Sequence, residues 1–118
     1  VTVETVIVQT LQALTAGRVY PDVAPENAAR PYITYQQFGG EALNFVDAAR
    51  PSKRNAHFQV SVWADTRLAA SAVAAQVEDA LRAAPALETT VLGSLMALND
   101  EVTKLRGTAQ SFSFWVDA

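Results

Sequence analysis

The sequence predicts an α+β fold, with two helices packed on one face of a mainly antiparallel sheet of about four strands, in the order α-β-β-α-β-β. Three observations predict it. Val3, Ile7, Leu11 and Leu14 recur at helical spacing near the start of the chain. Ala56, Phe58, Val60 and Val62 alternate with Asn55, His57, Gln59 and Ser61, the period-2 pattern of a strand with one dry and one wet face. Leu68–Ala84 then carries eight alanines in seventeen residues, a composition that favours helix and allows close approach to a sheet.

Taken in order, the first apolar stripe predicts a helix from about Thr2 to Ala16, ended by Gly17. Arg18 to Pro31 reads as a loop, because Pro21, Pro25 and Pro31 cannot donate to a ladder or a helix. Tyr32 to Phe38 alternates as a strand and stops at Gly39-Gly40. Glu41 to Lys53 has no clean period and reads as a long connection or flexible hairpin tip. Arg54 to Trp63 is the clearest strand, half core and half polar, as expected for a sheet covered on one side.

Asp65 or Thr66 caps the second helix, which presents Val73, Val77 and Leu81 with Ala70, Ala80 and Ala84. Glu78 and Arg82 lie i,i+4 on its opposite side, and Pro85 ends it. Val91 to Leu98 reads as a strand broken by Gly93, Asn99-Asp100-Glu101 as a turn, and Gln110 to Val116 as the closing strand.

With 118 residues the chain reads as one domain, residues 1–118, and half its residues are apolar against 18% charged. It has no cysteine, which excludes disulfides and thiolate chemistry. Val1 to Ala16 lacks the basic start and solid apolar run of a signal peptide, and no stretch reaches the roughly 20 apolar residues of a membrane span. The net charge of −3 argues against general affinity for phosphate backbones.

The chemistry-bearing residues lack the partners their reactions need. His57, the single histidine, sits mid-strand on the polar face with no nucleophile pattern nearby, so it reads as a surface or interfacial residue. One histidine with scattered carboxylates is not a metal-ligand set. Asp100-Glu101 is an acidic pair at a turn, where solubility and turn chemistry explain it. Gly39-Gly40 precedes no Lys-Ser/Thr pair and reads as a strand terminator. Arg50, Lys53 and Arg54 form a small basic cluster before the long strand, suited to a solvated loop, a subunit–subunit charge pair or nucleic-acid contact. Trp63 reads as a core edge, and Trp115 as either a core edge or an interface anchor.

Three stretches in order carry a resemblance: Gly17-Arg18-Val19-Tyr20-Pro21 trailed by Ala24-Pro25, Arg30-Pro31-Tyr32-Ile33-Thr34-Tyr35, and Phe58 to Asp65 leading into the alanine-rich helix. With the closing strand they cover nearly the whole chain. The pattern resembles the tail-completion family of long-tailed bacteriophages, prophages and gene transfer agents, related to the lambda-type tail terminator. The resemblance implies a virion structural protein rather than an enzyme, with no cofactor. It implies a homohexameric ring at the head–tail junction, assembled in the host cytoplasm, that caps the tail tube and ends its polymerisation. The implied partners are other copies of the chain, the tail tube protein and the head-connector or stopper protein. DNA would pass through the lumen without specific binding, and no membrane is involved.

Subunit contacts in such rings commonly use the sheet edge and the long loop, here Glu41 to Lys53. Phe45, Val46, Arg50, Lys53, Arg54, Asn99, Asp100 and Glu101 are therefore the expected interface candidates. For Phe45 and Val46 the alternative is that they fold back on the core. A second reading of function is a small nucleic-acid or ligand-binding domain using the polar sheet face and the Arg50–Arg54 loop.

Overall fold

The fold is a computed structural model that describes residues 2–44 and 46–117. Helix α1 (Val3–Leu11) starts where the Thr2 hydroxyl accepts from the Thr5 amide at 3.2 Å, with Glu4 placed well for the helix dipole. It gives way to a 3-10 turn (Gln12–Leu14), so the α-helical part is shorter than its apolar stripe predicts. The chain leaves through Ala16 and Gly17, both at positive φ, with the Gly17 amide donating to the Gln12 carbonyl at 2.7 Å.

Five more elements complete the first half and the centre of the sheet: β1 (Val19–Pro21), β2 (Tyr32–Gly39), β3 (Lys53–Ala64), α2 (Arg67–Ala83) and β4 (Thr90–Val91). The chain ends with β5 (Met96–Asn99) and β6 (Arg106–Asp117). The sheet has six strands in the order β1-β2-β3-β6-β4, with β5 also on β6. β1 is parallel to β2 and the other pairs are antiparallel.

The α+β class and the shared helical face agree with the sequence, but about four strands become six. Arg18 to Pro31 is not all loop. Val19–Pro21 joins the sheet edge beside Ile33–Tyr35, where a proline is tolerated because its missing N–H faces outward. The strand expected over Val91 to Leu98 splits in two around Gly93, both pieces lying along β6. Lys53 opens β3 instead of closing the loop, and β6 begins at Arg106, four residues before the expected Gln110.

β3 and β6 pair over their full lengths, from Lys53–Asp117 to Ala64–Arg106. This pairing sets the long axis of the molecule. Ala56, Phe58, Val60 and Val62 all lie buried beneath the helices, as their alternation requires. Ala70, Ala74, Val77 and Leu81 cover them from α2, and Ile7 and Leu11 from α1. Ala74 joins the buried stripe, whereas Val73, Ala80 and Ala84 pack at its margin.

Phe58, Phe112 and Phe114 are completely buried, with Phe112 and Phe114 stacked at 6.0 Å. Each such ring contributes roughly 1.5–3 kcal/mol by leaving water. Two polar residues of β6, Thr108 and Gln110, enter this face. The Gln110 amide donates to the Glu78 carboxylate at 2.7 Å and to the Gly93 carbonyl at 3.0 Å, satisfying a buried group and tying the β4–β5 link to α2.

The helices cover one face, and the other carries Asn55, His57, Gln59, Ser61 and Trp63 from β3. Trp63 is not at the edge of the core as expected. It lies half-buried on this outer face, opposite Gly107 of β6.

Candidate assembly interface

Residues 40–52 connect β2 to β3 and project beyond the pairing of those strands. The molecule measures 53 × 24 × 24 Å, and its radius of gyration is 15.2 Å, against about 13.5 Å for a compact domain of this length. The base of this arm is built by two contacts. Asn55 accepts the Glu41 amide at 2.8 Å and donates to Ser113 Oγ at 2.7 Å and the Phe114 carbonyl at 3.1 Å. Gly40 runs so close to β3 that a β-carbon would stand 2.4 Å from the Asn55 carbonyl oxygen, at a φ of +149 that side chains rarely adopt.

The interface candidates divide between the two ends of the molecule. Val46 and Arg50 lie on the arm, and Val46 is fully exposed rather than folded back on the core. Phe45 lies outside the described residues. Lys53 and Arg54 belong to β3 at the foot of the arm. Asn99 ends β5 at the opposite end, and Asp100 and Glu101 occupy the turn to β6. Eleven residue steps of β3 separate these ends, roughly 35 Å at strand spacing.

At the arm end, a concavity of about 700 Å³ lies among Gln37, residues 39–44, 48–51 and 53–55. Arg50, Lys53, Arg54 and Glu41 contribute its charges, and Leu43 is an exposed apolar residue in its wall. Lys53 lies 3.0 Å from Glu88 and 3.3 Å from Asp117, and these bonds hold its ammonium above the ordinary lysine value. Among the described residues, Arg50 and Arg54 have no ion-pair partner.

At the other end, the Asp100 carboxylate accepts the Val102 amide at 2.9 Å and the Thr103 amide at 3.3 Å. The Thr103 bond and then the Val102 bond keep its pKa below the ordinary value. Asn99 donates to Glu101 at 3.0 Å. Val102, at the tip, is 91% exposed. Sequence reasoning missed Leu43 and Val102, although an isolated apolar residue in a polar turn was a signal for both.

A second hollow, about 360 Å³, lies on the outer face between Asp22 and Val23 on one side and Leu98 and Asp100 on the other, with Tyr32 and Trp63 over a floor of Thr34 and Ser61. It was hidden from the sequence because its walls come from the segment after β1 and from the end of β5, far apart along the chain. His57 faces outward beside Phe38, their rings 5.6 Å apart, and Ser113, opposite it on β6, accepts a hydrogen bond from Asn55 at 2.7 Å. Among the described residues there is no group of three or more His, Cys, Asp or Glu that could hold a metal ion. No described helix is long and apolar enough to cross a membrane. Lys53 is ion-paired with Glu88 and Asp117, and Asp22 and Asp100 flank the outer hollow.

The family model for tail completion protein gp17 matches residues 8–118. The chain belongs to that family. Its members are structural proteins of phage tails. The fold is shared with solved structures, among them these two. One is a chain from the virion of a native gene transfer agent particle, with a TM-score of 0.62 at 24% identity, covering 98% of this chain and 95% of that one. A second solved chain also gives a TM-score of 0.62, at 16% identity, covering 98% of this chain and 90% of that one. No curated protein matches.

Proposed function

We propose that this tail-completion protein assembles as a homohexameric ring that caps the finished tail tube, ends its polymerisation and offers the opposite rim to the head connector. The observation that carries this reading is the projecting arm. Fully exposed Val46 at one end and Val102 at the other are apolar surface that a subunit contact would cover. Contact groups at opposite ends of a subunit suit a head-to-tail contact, which closes into a ring when the rotation between neighbours divides the circle. One face of such a ring would match the last ring of the tube and the other would not, so growth stops. The net charge of −3 is compatible with a lumen that lets DNA slide past.

The test is removal of the protein from an assembling phage or particle. Tails of uncontrolled length, or tails without heads, support the proposal. Normal tails joined to heads refute it. Particle mass by light scattering and negative-stain images of the purified protein report the ring itself.

A further inference from the structure

We infer that the outer hollow is a binding site for a guanidinium group, supplied by an arginine on an exposed segment of a different protein. This contact goes beyond the ring reading and does not depend on it.

Three cross-strand pairs of β2 and β3 build the hollow: Tyr32 with Trp63, Thr34 with Ser61, and Gln36 with Gln59. They set an aromatic pair, a hydroxyl pair and an amide pair side by side on one face of the sheet. Thr34 and Ser61 are only 9% and 8% exposed, and neither hydroxyl has a hydrogen-bond partner among the described residues. The polar side-chain atom sealed away without a partner is Thr108 Oγ1, on the other face, so these two hydroxyls open into the hollow. A buried hydroxyl left unpaired is costly, and a ligand placed here would satisfy both.

Asp22 and Asp100 are the charged residues that line the hollow, and neither belongs to an ion pair among the described residues. Both backbone bonds to Asp100 fall on Oδ1, which fixes the carboxylate and leaves Oδ2 to accept from a ligand. The cations nearby are engaged elsewhere. Arg30 pairs with Asp65 at 2.8 Å, Arg18 donates to the Pro31 carbonyl at 3.0 Å, and Arg106 donates to the Lys104 carbonyl at 3.3 Å. Lys104 and Arg106 balance Asp100 and Glu101 in number, so recognition rests on hydrogen bonds inside the hollow and not on a long-range field.

A guanidinium fits this set of groups better than an ammonium does. It is planar, stacks on aromatic faces and carries several N–H donors for carboxylate, hydroxyl and amide oxygens at once. The aromatic pair is held in advance, Tyr32 by the edge of Tyr20 at 6.1 Å and Trp63 against Gly107. The volume of about 360 Å³ lies near the lower end for ligand clefts and suits one long side chain. Val23, 79% exposed, and Met96 on the outer side of β5 add apolar surface nearby that a protein bearing the arginine would cover. Within this chain Arg18, Arg30, Arg67, Arg82 and Arg106 are already bonded, and Arg50 and Arg54 share their concavity with Glu41, which favours a different protein as the donor.

Titration of the isotope-labelled protein with N-acetyl-arginine amide, followed by NMR, tests the site. The Trp63 indole N–H and the Gln36 and Gln59 side-chain amides should shift and saturate in roughly the millimolar range, with the Trp115 indole unmoved. The acetylated amide of citrulline, neutral and of the same shape, should bind about ten-fold more weakly or worse. Asp22→Asn/Asp100→Asn should weaken arginine binding by a similar factor with an unchanged circular dichroism spectrum, and Thr34→Val/Ser61→Ala should weaken it in its own right. Equal shifts from arginine and citrulline, or full affinity in the Asp22→Asn/Asp100→Asn protein, overturn the assignment.

A photo-crosslinking amino acid in place of Val23 identifies the donor in assembling particles. A crosslink to another virion protein beside an arginine, lost when Asp22→Asn/Asp100→Asn is added, supports the contact. A crosslink to a second copy of this chain, or none, overturns it. Neither readout depends on tail length, so the capping function and this site can fail separately.

Discussion

The Trp63 indole lies directly over Gly107 on the neighbouring strand, so close that a β-carbon at position 107 would stand 2.7 Å from its Cε3. The ring takes the place of the side chain that β6 lacks there. Gly107→Ala should therefore push the indole outward and cost about 1–3 kcal/mol. Urea unfolding measures the loss. In a Trp115→Phe background, red-shifted fluorescence of Trp63 reports the displacement.

Arg67, at the start of α2, donates to the carbonyls of Leu98 at 2.7 Å and of Gly107. It clamps the β5–β6 hairpin to the helix. Arg67→Ala should cost about 1–3 kcal/mol through two lost charge-assisted bonds. Hydrogen exchange should quicken in Met96–Asn99 while the amides of β3 keep their protection.

Phe112 sits wholly buried between Val91 and Phe58 in the strand registers. Phe112→Ala should destabilise the fold by about 3–5 kcal/mol. That is a large share of the stability of a domain this size, so soluble yield and thermal midpoint should both fall.

The Glu78 carboxyl is held below its ordinary pKa by the Gln110 bond first, and by Arg82 second. A depressed carboxylate stabilises the folded state above its unfolded pKa and loses that contribution as pH falls through the folded pKa. Gln110→Leu should raise the apparent pKa of Glu78 towards the ordinary range, as followed by NMR of its side-chain carboxyl carbon. Glu78→Gln should flatten the acid limb of stability against pH.

His57 lies beside the Phe38 ring and opposite Ser113, whose hydroxyl is engaged by Asn55. His57→Ala should leave folding and tail completion intact, checked by melting and by tail-length distribution. Loss of tail completion in a folded variant would reopen the search for chemistry.

Much of the framework was legible along the chain. The alternation from Ala56 to Val62 and the alanine-rich stretch before Pro85 reflect local periods that only one kind of element can satisfy. β1 was not legible, because three residues ending in Pro21 have no strand signal of their own and exist through parallel pairing to Ile33–Tyr35. The break between β4 and β5 was marked by Gly93, but the bond that holds it, from Gln110 to the Gly93 carbonyl, comes from another strand. The candidate interface residues were legible by type: cations near residue 50, carboxylates near residue 100, apolar groups in the arm.

The two helices, the half-polar central strand and the family could be read along the chain. Those depend on residue type and short spacing, which are properties of the chain before it folds. It takes the folded chain to show that Lys53 is ion-paired, that Trp63 lies on the outer face, and that the basic and acidic candidates stand roughly 35 Å apart. These follow from the register of β3 with β6. That register is a long-range choice made by burying Phe58, Phe112 and Phe114 together, and no local window of sequence contains it.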